Sequence, residues 1–223
     1  EGYLPEAMFN FLALLGWSYD PANDLFTREQ AIERFDIVDI NPKPSVVSYS
    51  KLEWMNGVYI RQLSIEELTR RLLPFLAEGL GLTEVEVKCH PGLPTLVPAI
   101  QERLKKLSEA AEVVRFAFEE PDEYAPAKLI GRKMTALQSL EALRAAREAL
   151  ATLPEFNEGS IEAVLRELAD RMGVQAGALF GILRVAVTGR EVAPPLFASI
   201  VAVGRERTLA RCDRAIQLLG QLL

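Results

Sequence analysis

The sequence predicts an all-α protein, and three features of the 223-residue chain support this class. Apolar residues recur at helical spacing through nearly every long segment. Capping motifs, Thr27-x-x-Gln30 and Ser64-x-x-Glu67, precede two of these segments. Glycine and proline residues separate the segments from one another. Residues 84–88 alternate in polarity, which fits a strand or a short helix, and we favour the helix.

The first half of the chain contains seven expected helices. The first is apolar on nearly all sides, as in a buried helix, and Gly16 ends it. An irregular connector is expected over residues 36–49, which are rich in proline and β-branched residues. Pro74 should kink the fourth helix or lie near its end. The expected helices are Ala7–Leu15, Thr27–Phe35, one capped by Ser50, one capped by Ser64, 84–88, one beginning at Ile100, and Val113–Phe118.

The second half is expected to add five helices after residues 121–126 (PDEYAP), whose composition is typical of a linker. The first of them is long and amphipathic, and Pro154 stops it. Its inward residues are expected to be Leu137, Leu140, Leu143, Leu150 and Leu153. The five are Met134–Leu153, one from a Ser160 cap to about Gly173, about 176–187, one after Pro194-Pro195, and one after Gly204.

The composition is that of an ordinary globular chain with a net charge of −6. A strongly basic chain would indicate nucleic acid at once, and this chain is not basic overall. Two isolated cysteines, Cys89 and Cys212, suggest a reducing compartment without a disulfide framework. No apolar run approaches the ~20 residues that a membrane span needs. The sequence therefore predicts a cytoplasmic protein that neither spans a membrane nor carries a signal peptide.

Catalytic and metal-binding motifs are absent from the sequence. With one histidine, no Ser-His-Asp or Cys-His set can be assembled, and Cys89-His90 alone cannot build a metal site. Neither GxGxxG nor GxxxxGK[ST] occurs, so no phosphate cradle of those types is expected. We therefore predict no catalytic residues, no metal site and no cofactor in this chain, with a structural or solvent-exposed role for His90.

Three segments resemble bacterial glutamyl-tRNA synthetases: residues 2–17 (GYLPEAMFNFLALLGW), 51–61 (KLEWMNGVYIR) and 182–197 (ILRVAVTGREVAPPLF). The HIGH-like and KMSKS-like motifs that bind ATP in such class I enzymes do not appear. The resemblance implies the C-terminal, tRNA-reading part of the enzyme, with ATP and magnesium used by a catalytic domain outside this chain. It also implies two parts, the end of a stem-contact domain at residues 1–62 and an anticodon-binding domain at residues 63–223, divided near 121–126 into two helical subdomains.

The resemblance also carries over six tRNA-binding positions. Arg103, in AIQERLKKL, matches an anticodon-reading arginine on a helix, and Pro194 and Leu196 match a turn that meets the middle anticodon base. Ala193 and Pro195 depart from at least some relatives, which have Thr and Gly there. The positions are Arg103, Arg166, Arg184, Pro194, Leu196 and Trp54. The chemistry agrees, because a guanidinium can bond or stack on the exposed bases of a single-stranded loop.

Four of these positions have a simpler alternative. Arg103 and Arg184 could be solvated helix residues, Arg166 could pair with Asp170 four residues later, and Trp54 could be a core residue. A further arginine cluster on the last helix fits either a phosphate-facing stripe or a solvated face. That cluster consists of Arg205, Arg207, Arg211 and Arg214.

The function that the resemblance implies is recognition of tRNA(Glu) through its anticodon, in support of aminoacylation by the protein's own catalytic domain. DNA and membranes are not expected partners. Two alternatives stay open: a helical protein-interaction module, which the acidic net charge favours, and a stand-alone regulatory relative that binds tRNA without catalysis.

Overall fold

The structure is a computed structural model that describes residues 1–42, 45–121 and 124–223. Within these ranges every regular element is helical, and the one β-type contact is an isolated bridge between Asp20 and Asn23. The predicted all-α class is therefore confirmed. None of the helices in these ranges combines the length and the apolar character that crossing a bilayer requires.

Twelve α-helices occur in the described residues, with three short 3₁₀ helices between them. The α-helices are α1 (Pro5–Ala13), α2 (Arg28–Arg34), α3 (Tyr49–Gln62), α4 (Ile65–Leu80), α5 (Glu84–Cys89), α6 (Leu93–Gln101), α7 (Ala110–Phe118), α8 (Ala136–Thr152), α9 (Glu158–Met172), α10 (Ala176–Thr188), α11 (Leu196–Val203) and α12 (Arg205–Gly220). The short helix predicted over residues 84–88 is thus confirmed as α5.

The helices form two compact units. Unit 1 comprises Glu1–Glu84 and Ile100–Ala111, and unit 2 comprises Val85–Ala99 and Glu112–Leu223. The domain boundary predicted between residues 62 and 63 is not a limit of either unit and stays a prediction. So does the subdomain split near 121–126, of which residues 122 and 123 lie outside the described residues.

The core of unit 1 forms where α1 packs on α3, with Phe11, Leu52 and Met55 buried together. The buried Asn10 side chain ties this core to the chain before α2. Its amide nitrogen donates to the Asp24 carbonyl oxygen at 2.8 Å, and its oxygen accepts from the Phe26 N–H at 3.2 Å. Since a buried amide without partners would be strongly destabilising, these bonds fix the path of residues 24–26.

The core of unit 2 is formed by the last five helices. α12 packs on α8 and α10, while α9 packs on α8 and α11. The α8 leucines Leu140, Leu143 and Leu150 are buried as predicted. Leu137 was predicted to point inward but is 52% exposed, so this prediction is wrong: in the first turn of α8 the buried side is the one that carries Ser139.

Two predicted helix caps are wrong, one by two residues and the other by three. The cap of α3 is Ser48, whose hydroxyl accepts from the Lys51 N–H at 3.3 Å, and not Ser50. The cap of α9 is Asn157, whose side-chain oxygen accepts from the Ser160 N–H at 2.9 Å, and not Ser160. In both places two residues able to cap lie close together, and asparagine and serine cap about equally well.

The two predicted capping boxes have different outcomes. The Thr27–Gln30 box is confirmed, since each side chain bonds the backbone N–H of the other residue. Ser64 also caps α4 as predicted, but the Glu67 carboxylate pairs with Arg70 and Arg71 at 2.7 and 2.6 Å. Hydrogen bonds from these two arginines lower the pKa of Glu67 to about 2.

Candidate nucleic-acid interface

Unit 1 contains an open groove between α3 and the turn formed by residues 102–105. Its volume is about 350 Å³. Trp54 and Arg61 line it from α3, and Arg103 and Lys105 line it from the turn. The Trp54 side chain is 50% exposed, and Arg103 is exposed too. The structure therefore brings Trp54 and Arg103 together, although the sequence placed them in different predicted domains.

The helix predicted to begin at Ile100 and carry Arg103 is not formed, because α6 ends at Gln101. The Gln101 side chain donates to the carbonyl oxygens of Ile60 and Leu63 at 3.0 and 2.9 Å, where α3 ends. The chain then turns, with the Arg103 N–H bonded to the Ile100 carbonyl at 2.9 Å. Arg103 thus projects from a turn, a correction to the predicted helical position.

The WMNG sequence of α3 explains how this turn is held. Met55 and Asn56 are fully buried. The Asn56 oxygen accepts from the Leu4 N–H at 2.7 Å, while its amide nitrogen donates to the Lys105 carbonyl. One buried side chain therefore connects the N-terminal segment, α3 and the turn that carries Arg103.

Gly57 allows the turn to approach α3 closely. A Cβ atom on Gly57 would lie 3.3 Å from the Leu104 carbonyl oxygen and 3.2 Å from the Arg61 guanidinium. Few side-chain contacts in proteins are that short, so a larger residue would push the turn or Arg61 away. The motif thus combines a packing residue, a hydrogen-bonding residue and a residue without a side chain, and leaves Trp54 for the surface.

The groove contains charges of both signs. Glu102 lies 3.9 Å from Arg61, and Glu53 lies 3.9 Å from the Lys105 amine and 3.5 Å from that of Lys106. Partly exposed pairs of this kind contribute about 0–1 kcal/mol to stability, so the basic groups can exchange partners at little cost. Arg61 and Lys105 were not among the predicted site residues. Arg61 nevertheless lies in the segment 51–61 that contains Trp54, and Lys105 lies in the AIQERLKKL segment that contains Arg103.

Unit 2 contains Arg166 and Arg184 on consecutive helices. On α9, the Arg166 guanidinium pairs with Glu162 through Nε at 2.8 Å and Nη2 at 2.6 Å, which replaces the predicted alternative partner Asp170. On α10, Arg184 is half-buried, and its guanidinium has no ion pair or hydrogen bond within the described part of the chain. The Arg184 donors are therefore not used by the other described residues.

The turn before α11 presents different atoms from those expected. The side chains of Pro194 and Leu196 are both buried, whereas Pro195 is exposed. The Ser199 hydroxyl donates to the Pro195 carbonyl at 2.9 Å, and α11 begins at Leu196. Pro194 and Leu196 therefore fix the shape of the turn, while Pro195 is its exposed side chain.

Two members of the arginine cluster on α12, Arg207 and Arg211, are held by contacts within the protein, whereas Arg214 is exposed. Arg211 is buried, donates to the carbonyls of Val187 and Glu119, and pairs with the Glu120 carboxylate at 3.1 Å. Arg207 makes similar bonds to Ala117, Glu119 and Glu120. Arg207 thus bonds the Ala117 carbonyl, which α7 leaves free at its C-terminal end, and both arginines bond the carbonyl of Glu119 just after that helix. No sequence pattern indicated these contacts.

The electrostatics of this buried cluster follow from the same contacts. A hydrogen bond from Arg211 lowers the pKa of Glu120, while burial lowers the pKa of Arg211 itself.

His90 stacks on Phe118 with 4.1 Å between ring centroids, and burial lowers the pKa of His90. Its partly buried position agrees with the structural role. Within the described residues, no three His, Cys, Asp or Glu side chains gather as metal ligands.

Comparison with known proteins gives one family and a consistent set of relatives. Residues 67–216 match the family model of the anticodon binding domain. The chain is 47% identical over 221 residues to a glutamate–tRNA ligase of Roseiflexus castenholzii, with 99% of this chain and 44% of the relative covered. It is 44% identical over 227 residues to the glutamate–tRNA ligase of Chloroflexus aurantiacus, with 100% and 45% covered.

Solved structures agree on the fold. A glutamate–tRNA ligase from Elizabethkingia meningosepticum, crystallised with its amino acid, superposes with a TM-score of 0.80 at 23% identity, over 98% of this chain and 42% of that one. The enzyme from Elizabethkingia anophelis gives a TM-score of 0.76 over 97% and 41%. The chain thus spans less than half the length of the relatives it matches.

Proposed function

Since this chain belongs to the anticodon binding domain family, we propose that it recognises tRNA(Glu) through the anticodon and does so as part of a glutamate–tRNA ligase. The curated relatives that cover nearly the whole chain have that enzyme name. The observation that carries the proposal for these residues is the groove of unit 1, where an exposed tryptophan and an exposed arginine line the same surface.

The groove has the chemistry that a single-stranded base needs. An aromatic side chain can stack on an unpaired base, and such contacts are typically worth about 1–3 kcal/mol per base. In our proposal the Trp54 ring is that platform, and the Arg103 guanidinium donates to acceptor atoms on the base edge. Arg61 and Lys105 neutralise the adjacent phosphates, which positions the RNA without reading its sequence.

Unit 2 supplies the other proposed contacts. Arg184 has unused donors on a rigid helix, so it can bond a base edge or a phosphate with little loss of conformational freedom. Arg166 contributes the part of its guanidinium that faces away from Glu162. At the turn before α11, the proposed contact with the RNA is made by backbone atoms and by Pro195, since the side chains of Pro194 and Leu196 are buried.

The enzyme activity belongs to the rest of the proposed ligase. ATP, magnesium and glutamate would be used by a catalytic part that the longer relatives have room for, and tRNA(Glu) would be the shared substrate. The work would take place in the cytoplasm, where tRNA is charged. DNA and membranes are not proposed partners.

Binding of a labelled tRNA(Glu) transcript to the 223-residue chain, measured by fluorescence anisotropy, tests the proposal. Affinity should fall with salt at a log–log slope of roughly −0.7 for each single-strand phosphate contact. Trp54→Ala and Arg103→Ala should each weaken binding, while Arg70→Ala, an exposed arginine of α4 outside the groove, should leave it unchanged. Salt-independent binding, or equal effects of all three variants, would contradict the proposal.

A further inference from the structure

Phe180 is a partly buried aromatic residue of α10 that contacts Arg166 of α9. The guanidinium carbon of Arg166 lies 5.4 Å from the centroid of the Phe180 ring. That distance is within the ~6 Å over which an arginine is attracted by an aromatic face. The same guanidinium is bonded on one edge by Glu162. Arg166 is 56% exposed yet held from two directions, by a ring and by a carboxylate.

A second ring fixes Phe180 in turn. The Phe180 and Phe197 rings have centroids 5.3 Å apart and an interplanar angle of 84°. Edge-to-face packing of this kind is a preferred arrangement of aromatic pairs. Phe197 directly follows Leu196 in the first turn of α11. A continuous set of contacts therefore joins Arg166 to the turn of residues 194–196, and both ends of it are proposed RNA-binding positions.

The contacts leave a defined part of Arg166 for a ligand. A guanidinium has five N–H donors in a fixed plane. The contacts with Glu162 use Nε and Nη2, and Nη1 has no acceptor within the described residues. Because Glu162 nearly neutralises the arginine, long-range attraction of RNA by this pair is weak. Binding then depends on whether Nη1 already points in the right direction when a phosphate oxygen arrives.

We propose that Phe180 is a positioning residue for RNA binding: its ring holds the Arg166 guanidinium so that Nη1 faces a phosphate of the bound RNA. The inference rests on the proposed function, because it needs an RNA ligand. It goes beyond that function by giving a role to Phe180, which by its residue type would be assigned to the core. Fixing the arginine beforehand reduces the rotamer entropy that binding would otherwise remove.

The test uses the 223-residue chain and a fluorescein-labelled RNA with the anticodon stem–loop of tRNA(Glu). Phe180→Leu removes the aromatic face but keeps an apolar side chain, and should weaken binding about two- to five-fold, the range for an exposed cation–π contact. Phe180→Tyr keeps the face and should bind like the wild type. Should Phe180→Leu lose cooperative unfolding, Phe180→Met is measured by the same criterion.

A matched control exists in the same unit. The Arg205 guanidinium lies over the Phe156 ring at 5.1 Å, but it donates to the Leu153 carbonyl and is not a proposed RNA contact. Phe156→Leu therefore removes the same kind of contact and should leave RNA affinity unchanged. Equal weakening by Phe156→Leu and Phe180→Leu would overturn the inference, since it would indicate a general effect on unit 2.

A double-mutant cycle separates positioning from packing. Once Arg166→Ala has removed the guanidinium, adding Phe180→Leu should not weaken binding further. Both Phe180→Leu and Arg166→Ala should also make the salt dependence shallower. Additive effects in the cycle would overturn the inference and leave the proposed function intact. Absence of any binding by the wild type would overturn the proposed function, and the inference with it.

Discussion

Asn56 offers the sharpest test of how the groove is built, because one buried side chain ties the turn of residues 102–105 to α3. In Asn56→Ala, the Leu4 N–H loses the acceptor that lies at 2.7 Å, and the Lys105 carbonyl loses its amide donor. Leaving a buried polar group without a partner costs about 1–3 kcal/mol. The Leu4 bond is buried and the Lys105 bond is partly buried, so the two groups together give an expected loss of about 2–6 kcal/mol in the free energy of unfolding.

The chain provides its own probe for this experiment. Its two tryptophans, Trp17 and Trp54, both lie in unit 1, so tryptophan fluorescence during urea unfolding reports on the unit that contains Asn56. The matched control is Asn23→Ala. The Asn23 side chain also accepts a backbone N–H, that of Leu25 at 3.0 Å, but the bond is exposed. Because water can replace it, the control should stay within about 0.5 kcal/mol of the wild type.

Function should follow stability at this position. The Lys105 carbonyl belongs to the turn that carries Arg103. Loss of its hydrogen bond to Asn56 should therefore weaken binding of tRNA(Glu) even without urea, where Asn56→Ala is folded. The reasoning is refuted if Asn56→Ala costs less than about 1 kcal/mol, or no more than Asn23→Ala, since a buried bridging amide cannot be that cheap to remove. It is also refuted if the folded variant binds RNA as tightly as the wild type.

Three further predictions concern charge and reactivity. Arg103→Gln should reduce the preference for stem–loops with C over G at the third anticodon base by roughly ten- to a hundred-fold, from about 1–3 kcal/mol per base contact; unchanged discrimination in competition binding would contradict this. The pKa of Glu67 is lowered to about 2, so its stabilising contribution is present above its ordinary value and is lost as pH falls towards 2; Glu67→Gln should flatten the acid limb of stability against pH, and an unchanged limb would exclude this role. Cys89 is exposed whereas burial raises the pKa of Cys212 to about 12, so a thiol reagent should modify one cysteine in the folded chain and both in denaturant.

Local sequence patterns predicted most of the fold because helix formation depends on neighbours within four residues. The periodicity of apolar residues placed α4, α8 and α10, and the Thr27–Gln30 pair predicted a capping box that the structure contains. Errors arose where two neighbouring residues could each cap a helix, as at Ser48 and Ser50, or where a group far away in the chain determined where a helix ends. The chain was expected to be helical through Arg103, but α6 ends at Gln101. The side-chain amide of Gln101 bonds carbonyls at the end of α3, about forty residues earlier in the chain.

The candidate site was predictable only in part. The resemblance to a synthetase pointed to Trp54 and Arg103, and both lie in one groove of unit 1. Neither pattern nor resemblance indicated that Pro194 and Leu196 have buried side chains, or that Phe180 contacts Arg166. Arg207 and Arg211 of α12 show the same limit, because their residue type fits a phosphate-binding stripe while their guanidinium groups bond backbone carbonyls at and just after the end of α7.

The sequence alone therefore determined the all-α class, most helices and the family, since these depend on short-range periodicity and on motifs such as WMNG and TG. Only the tertiary structure decided which charged groups remain available to a ligand. An arginine has the same intrinsic chemistry at positions 184 and 211, but at 211 burial against Glu120 and backbone carbonyls uses its donors. Such pairing depends on groups tens of residues away, which the fold alone brings within hydrogen-bonding distance.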